Sequence, residues 1–177
     1  MRTIPFLSLL AALSALAGCA NAPPSAYVVT LDPSLGSLAE NALVATDEWR
    51  LAVSALSLTV VMAPCRLQDD PRGTICVMAV PTQPGEASDV EGQTGGGSCG
   101  GIGGSSSDRD RCWGIVSVFP PASEHGDAES TRVIVHELGH AMGLSHTGPG
   151  TVMCHTSVCA SLTVMPADVA QWQSVRR

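Results

Sequence analysis

Three of the chain's five histidines lie in one short stretch, HELGHAMGLSH, which runs from His136 to His146. His136 and His140 are four residues apart in it. On an α-helix, residues at this spacing lie about 40° apart round the axis and about 6 Å apart along it, so they share one face. Two imidazoles stacked in this way can hold one zinc ion at Zn–N distances of about 2.0 to 2.1 Å. The spacing therefore predicts a zinc site on a helix.

The third histidine can reach that site only if the helix ends before it. In a continuous helix, His146 would lie about 240° round the axis from His140 and would face away from the metal. Gly143 stands between the two histidines, and glycine adopts without steric penalty the left-handed conformation that ends helices. We therefore predict that the helix ends at Gly143 and that the chain turns back to bring His146 to the zinc.

A glutamate directly follows the first of these histidines. Glu137 would lie about 100° round the helix from His136, beside the metal and not on it. A carboxylate in that position can hold a water that the metal polarises. The set predicts a hydrolase that needs no serine or cysteine nucleophile. The alternative is a zinc-stabilised domain that binds partners without cutting them, although a purely structural site would gain nothing from a general base.

These residues resemble a known family. HELGHAMGLSH is a complete H-E-x-x-H-x-x-G-x-x-H pattern, and Met153, seven residues after His146, stands where the metzincin metallopeptidases have their Met-turn. Among the metzincins the chain is most similar to the matrixins. HELGHAMGL resembles their active-site helix, and LTVMPADVAQWQSV resembles their C-terminal helix. The specific resemblance covers about the last fifty residues.

The resemblance implies a fold and an activity. The fold is of the α/β (α+β) class, a metzincin-like catalytic domain with a twisted mixed sheet, an active-site helix and a small C-terminal subdomain. The activity is that of an endopeptidase with one catalytic zinc, which cleaves protein or peptide substrates with Glu137 as general base. Metzincins hold the substrate extended along the sheet's edge strand. That strand would be either GIVSVF or part of the Gly-rich segment before it, and the sequence leaves both open.

The chain departs from the matrixin pattern after Met153. The segment CHTSVC lacks the Pro-x-Tyr that lines the specificity pocket of matrixins, so substrate preference is not carried over. His155 stands two residues after the methionine, where astacins have a tyrosine that supports the transition state. It is either such a group or a surface histidine.

The elements that must position this stretch can be read from the hydrophobic pattern. Strands are predicted from the β-branched runs at 26–32, 56–63, 74–80 and 112–121. Helical spacing predicts a helix at 35–54 whose buried face carries Leu38, Ala42, Ala45 and Trp49. Asp127 is predicted to cap the helix that carries the histidines, and Pro166 to lie in the first turn of a closing helix, with Val169 and Trp172 facing the core.

Residues 81–111 are rich in Gly, Ser and acidic side chains and show no hydrophobic period. We predict a long loop there that could rim a binding cleft. The spacing Asp108-x-Asp110 could provide calcium ligands, but arginines alternate with the acids and no twelve-residue calcium-loop pattern is present, so a solvated loop is the other interpretation.

The N-terminus predicts export. Residues 1–18, MRTIPFLSLLAALSALAG, carry one arginine and then an apolar run too short for a membrane span, as in a signal peptide. The sequence LAGC resembles the lipobox of bacterial lipoproteins, which would leave Cys19 lipidated at the mature N-terminus, residues 19–26 as anchor and tether, and 27–177 as the peptidase domain. The protein would then sit on the outer membrane or cell surface. Cleavage near Ala20–Ala22 would instead release it.

Cysteine usage agrees with an oxidising compartment. Apart from Cys19 the chain has an even number of cysteines, which predicts three disulfides. We expect sequential pairing, because residues 70–73, Asp-Pro-Arg-Gly, favour a turn that would bring the first pair together. The expected bridges are Cys65–Cys76, Cys99–Cys112 and Cys154–Cys159.

The charge excludes one class of function. The net charge is −7, and the nine basic residues are all arginine. A nucleic-acid binder needs clustered basic side chains to neutralise phosphates. We therefore expect a protein or peptide partner and no nucleic acid, and we expect the domain to be a monomer.

Overall fold

The computed structural model describes residues 25–66, 73–81, 92–95, 114–118, 127–154 and 161–176. Within these ranges the chain forms five strands, one 3-10 helix and three α-helices. The strands are β1 (Ala26–Leu31), β2 (Ser57–Met62), β3 (Thr74–Ala79), β4 (Gly92–Gly95) and β5 (Gly114–Val118). The 3-10 helix spans Pro33–Leu38, and the α-helices are α1 (Ala39–Ala52), α2 (Asp127–Ala141) and α3 (Pro166–Ser174).

The strands form one mixed sheet in the order β2-β1-β3-β5-β4. The first four strands in this order are parallel, and β4 pairs antiparallel with β5. Parallel neighbours need a crossover between them, and α1 is the crossover from β1 to β2. The mixed sheet with its helices confirms the predicted α/β fold class.

The core lies between the sheet and the first two helices. Alternate residues of β1 (Tyr27, Val29 and Leu31) are buried, and the register aligns Val29 with Ile75 and Leu31 with Val77. The side chains that the pattern predicted to face inward are also buried; they are Leu38 at the end of the 3-10 helix, and Ala42, Ala45 and Trp49 on α1. The two-residue period of the strand and the 3.6-residue period of the helix therefore both place apolar side chains toward one continuous core.

The first helix is shorter than predicted. The sequence predicted one helix over 35–54, but the structure has a 3-10 helix at Pro33–Leu38 followed by α1 at Ala39–Ala52. Gly36, inside the 3-10 segment, has a φ of 53°, and this kink prevents one continuous helix from beginning at residue 35. Pro33 fixes the first turn, and Asp32 accepts a hydrogen bond from the Ser34 N–H at 2.9 Å.

The predicted loop over 81–111 contains a strand. Residues Gly92–Gly95, with the sequence GQTG, form β4 and pair with β5. The prediction of a loop without strand structure was therefore wrong at these four residues, because strand pairing uses backbone groups and needs no apolar alternation. β4 lies at the end of the strand order. The edge strand that the sequence left open is thus in the Gly-rich segment and not in GIVSVF.

Several predicted features fall outside the described residues. They are the signal peptide at 1–18, Cys19 and its tether up to Pro24, the acids Asp108 and Asp110, the pair Cys99–Cys112, and His155 with Cys159. Among the described residues, no helix combines the length and the apolar character needed to cross a membrane.

A disulfide and a hydrogen bond to Asp32 link the segment that follows β2 to the centre of the sheet. Cys65 and Cys76 are joined by a disulfide with their Cα atoms 5.8 Å apart. Asp32 accepts a hydrogen bond from the Cys65 N–H at 2.8 Å. The N–H groups of Cys65 and then of Ser34 hold the pKa of Asp32 below its ordinary value of 3.8.

Replacing Asp32 by alanine should destabilise the fold in a pH-dependent way. We expect a loss of about 1 kcal/mol near neutral pH, because two backbone N–H groups lose their acceptor. A carboxyl with a lowered pKa in the folded state stabilises fully above its unfolded pKa and loses this effect as the pH falls through the folded value. Denaturant unfolding at pH 7 and at about pH 3 should show the gap between wild type and variant closing in acid. Asp47→Ala, which removes an exposed carboxylate paired with Arg50, is the control; equal stabilities of Asp32→Ala and wild type at pH 7 would contradict the assignment.

Candidate metal centre

The helix that carries two of the three histidines ends as its glycine predicts. α2 begins at Asp127, so Asp127 is its first residue and not the cap before it. Its last helical residue is Ala141, and Gly143 has a φ of 94°. The Gly143 N–H donates to the His140 carbonyl at 2.8 Å, and the Leu144 N–H donates to the Gly139 carbonyl at 3.0 Å. This pair of bonds is a Schellman motif, which reverses the chain after a helix.

The reversal brings three imidazoles together. The Nε2 atom of His140 lies 3.0 Å from Nε2 of His136 and 3.0 Å from Nε2 of His146. The three side chains each offer a ligand atom, and these atoms all lie within 4.8 Å of one another. The nitrogens of the three predicted ligands therefore lie close together beside the end of α2.

The backbone fixes which nitrogen of two rings carries the proton. Nδ1 of His136 lies 2.7 Å from the Val152 carbonyl oxygen, and Nδ1 of His140 lies 2.8 Å from the Leu144 carbonyl oxygen. A carbonyl oxygen can only accept, so Nδ1 must be the protonated nitrogen in both rings. In a neutral imidazole, Nε2 then carries a lone pair. Both Nε2 lone pairs are directed at the shared point.

This arrangement fits a metal ion. Two lone pairs 3.0 Å apart cannot hydrogen-bond to each other, and they repel unless a cation lies between them. Tetrahedral zinc with Zn–N bonds of 2.0 to 2.1 Å separates its ligand nitrogens by roughly 3.3 Å, close to the observed spacing. Burial lowers the pKa of His136 to about 4, with a further contribution from the nearby histidines, against the opposing effect of the Val152 carbonyl. The ring is therefore neutral, as a metal ligand must be, near pH 7.

Glu137 is a buried acid beside this cluster. This residue is only 8% exposed, which is unusual for a glutamate. It follows His136 on α2, about 100° round the helix axis. A carboxylate so placed can accept a proton from a water held at the three imidazoles.

The methionine of the predicted Met-turn packs beneath the metal-binding end of α2. Met153 is fully buried. A Cβ added at Gly139 would overlap the Met153 sulfur and lie 3.0 Å from Cζ2 of Trp49. The glycine inside HELGH therefore lets the Met-turn and α1 approach the helix axis closely. Cys154, next along the turn, is disulfide-bonded, and the other half of that bridge lies outside the described residues.

Trp49 was predicted only as a core residue, yet it also supports α2. Its indole Nε1 donates to the Val135 carbonyl at 2.8 Å, one residue before His136. Nearer the start of both helices, Asn41 Nδ2 donates to Thr131 Oγ1 at 3.0 Å. α1 and α2 therefore run in the same direction, and α1 braces the helix that bears the ligands. A tryptophan on a buried helix face signals such a bond, because a buried indole N–H needs an acceptor.

A second residue that the sequence missed is Asp168. It is fully buried on α3. Its carboxylate accepts hydrogen bonds from the N–H groups of Val152 at 3.1 Å, Met153 at 3.3 Å and Met165 at 2.9 Å. An acid in the first turn of a helix is ordinarily interpreted as a partner of the helix dipole, which is why the pattern concealed its contact with the Met-turn.

Comparison with known proteins finds similarity in fold. No protein-family model and no curated protein matches the chain. Among solved structures, the archaemetzincin of Methanopyrus kandleri is similar with a TM-score of 0.54 and 15% identity, over 85% of this chain and 96% of that one. A zinc-dependent peptidase from Methanocorpusculum labreanum has a TM-score of 0.47 and 13% identity, over 82% of this chain and 99% of that one. The chain thus shares the fold of the archaemetzincin over most of both lengths.

Proposed function

We propose that the chain is a zinc-dependent endopeptidase. One observation carries this proposal: three imidazole Nε2 atoms meet at the end of α2, two of them with their lone pairs fixed by backbone carbonyls, next to a buried glutamate. The fold likeness to an archaemetzincin supports it. Three neutral imidazoles hold zinc well and leave one position open, as in catalytic zinc sites.

The ligands would be His136, His140 and His146. Zinc, when bound, would supply a Lewis acid and lower the pKa of a water to about 7. Glu137 would accept the proton of the attacking water and pass it to the departing amine. Because this carboxylate is buried, few bulk waters compete for the proton it holds. The Val152 and Leu144 carbonyls keep two of the rings in the correct tautomer throughout.

The edge strand offers a place for the substrate. β4 is at the end of the strand order and packs against α2. An extended peptide that pairs with this edge by β-augmentation would run past the helix that carries the histidines. Backbone pairing of this kind accepts many sequences, and it favours an endopeptidase that binds the chain on both sides of the cleaved bond.

The place of action is part of the same proposal. The protein would be exported, with residues 1–18 removed, and anchored to the membrane through lipid on Cys19. The disulfide Cys65–Cys76 and the bridged Cys154 support an oxidising compartment. The protease domain would then act on proteins at a membrane surface.

Removing the metal tests the activity. A library of unbiased peptides is digested by the protein as purified, by protein treated with a chelator, and by chelated protein reloaded with zinc, with bound zinc measured in each sample. We expect cleavage inside the peptides, its loss with the metal and its return on reloading, because no nucleophilic side chain replaces the water. One zinc per chain with no cleavage of any peptide would instead favour a non-catalytic zinc-stabilised binding lipoprotein.

A further inference from the structure

We propose that Asp168 is a positioning residue of the metal centre, which aims the His136 ligand through a single peptide group of the Met-turn. The inference takes the three histidines of the proposed function as the metal ligands. It does not depend on what reaction the metal performs.

The two hydrogen bonds that carry the proposal use the N–H and the carbonyl of one peptide group, which lie in its plane and point in opposite directions. The Met153 N–H donates to Asp168 Oδ1 at 3.3 Å, and the Val152 carbonyl of the same peptide group accepts from His136 Nδ1 at 2.7 Å. A peptide group is rigid and planar, so a bond that holds its N–H also fixes the direction of its carbonyl. The carboxylate therefore sets the angle of the His136 ring from α3.

The second oxygen of Asp168 removes the remaining freedom of this turn. Oδ2 accepts from the Val152 N–H at 3.1 Å and from the Met165 N–H at 2.9 Å. Asp168 thus holds Val152 through its own N–H and through the peptide group that joins it to Met153. Because Val152, Met153 and Asp168 are all fully buried, water does not compete for these bonds, and they are stronger than at the surface.

The chain of bonds also affects the ligand's electrons. A histidine that binds a metal commonly donates its other N–H to a carboxylate or a carbonyl, which orients the ring and raises its basicity. Here a carboxylate acts on the histidine with one peptide group inserted between them. A negative charge on the N–H side polarises that peptide, so its carbonyl becomes a better acceptor for His136 Nδ1.

A merely structural role for Asp168 is the competing explanation, because its bond to the Met165 N–H also completes a capping box at the start of α3. The test must therefore distinguish a loss of folding stability from a change in the orientation of the His136 ring at the metal. The matched control is Asp32, a carboxylate that likewise accepts from two backbone N–H groups, those of Ser34 and Cys65. It directly follows β1, and its hydrogen bonds reach residues 34, 35, 65 and 77, none of which belongs to α2, the Met-turn or α3.

The experiment compares Asp168→Asn with Asp32→Asn in the full chain, folded in an oxidising compartment. Zinc affinity is measured by competition with a chromophoric chelator, and cobalt(II) replaces zinc to report ligand geometry through its visible absorption. We expect Asp168→Asn to bind zinc about 10- to 100-fold more weakly and to shift the cobalt bands. We expect Asp32→Asn to lose thermal stability but to keep wild-type zinc affinity and cobalt bands.

Two results would overturn the proposal. One is a folded Asp168→Asn protein with wild-type zinc affinity and cobalt bands; the other is an equal loss of affinity in Asp32→Asn, which would make the effect one of general stability. If Asp168→Asn does not fold, Asp168→Glu decides, since it keeps the carboxylate but displaces it by one methylene. Weakened zinc binding in folded Asp168→Glu supports the proposal, whereas wild-type zinc affinity and wild-type cobalt(II) absorption bands contradict it.

The outcome is also distinct from failure of the proposed function. A wild type that binds zinc but cleaves no peptide would refute the peptidase and leave the metal measurements interpretable. A wild type that cleaves peptides, together with an Asp168→Asn variant that binds zinc normally, would refute only the role of Asp168.

Discussion

Glu137→Ala should lower peptide cleavage by about 10²- to 10⁴-fold while the zinc stays bound. General acid–base catalysis contributes on this order, and the three imidazoles that would hold the metal do not include this side chain. The measurement is the turnover of the best library peptide by zinc-loaded wild type and variant, with the zinc content of both determined. A drop in activity without loss of metal distinguishes a general base from a ligand.

A carboxylate on the same helix provides the control. Glu129 pairs with Arg132 on α2 and lies seven residues before His136, about 10 Å away along the helix axis. Glu129→Ala should cleave peptides at the wild-type rate. Near-normal cleavage by Glu137→Ala would show that the general base is another group.

Gly139→Ala should destabilise the fold by about 1–3 kcal/mol and weaken the metal centre. Helix propensity alone would predict the opposite sign, since alanine is better than glycine inside a helix by about 1 kcal/mol. The added Cβ, however, would overlap the Met153 sulfur and lie 3.0 Å from the Trp49 ring, and both side chains are fully buried. Overpacking of this kind outweighs the propensity gain. Because Met153 adjoins the carbonyl that holds His136, zinc affinity should fall as well.

Denaturant unfolding and chelator competition measure the two effects of this substitution. Gly148→Ala is the matched control, because a Cβ at Gly148 meets nothing within 4 Å and the residue lies in the same stretch of chain. It should change stability by less than about 0.5 kcal/mol. A Gly139→Ala protein as stable as wild type would mean that the Met-turn can move aside without cost.

The metal ligands were predictable because their geometry is local. The spacing of His136 and His140 on a helix, and the need for Gly143 to end it, follow from helix dimensions alone. The structure places the left-handed residue at Gly143. Most strands were predictable for a similar reason, since β-branched runs such as TICVMA are buried on both faces of a parallel sheet.

What the sequence did not disclose depends on backbone groups and on distant partners. β4 has the sequence GQTG and pairs through its main chain, so no side-chain pattern marks it. The carbonyls of Val152 and Leu144, which fix two ring tautomers, carry no residue signature at all. Asp168 is sixteen residues from Val152, and only the folded turn shows that the two meet. The residues that would bind the metal could therefore be predicted, whereas the backbone and carboxylate groups that orient their rings could not.

The Schellman turn at Gly143 also bears on the order of folding. It makes His136, His140 and His146 neighbours within a stretch of only eleven residues, so forming the metal centre closes a very short loop. The central sheet, by contrast, joins parallel strands through long crossovers, and contacts between residues far apart in sequence form slowly. A chain that has formed α2 and its turn would have the three imidazoles close together, but the Val152 carbonyl that orients His136 is contributed only by the later Met-turn. We therefore expect the ligands to come together early in folding and their final orientation to be completed late.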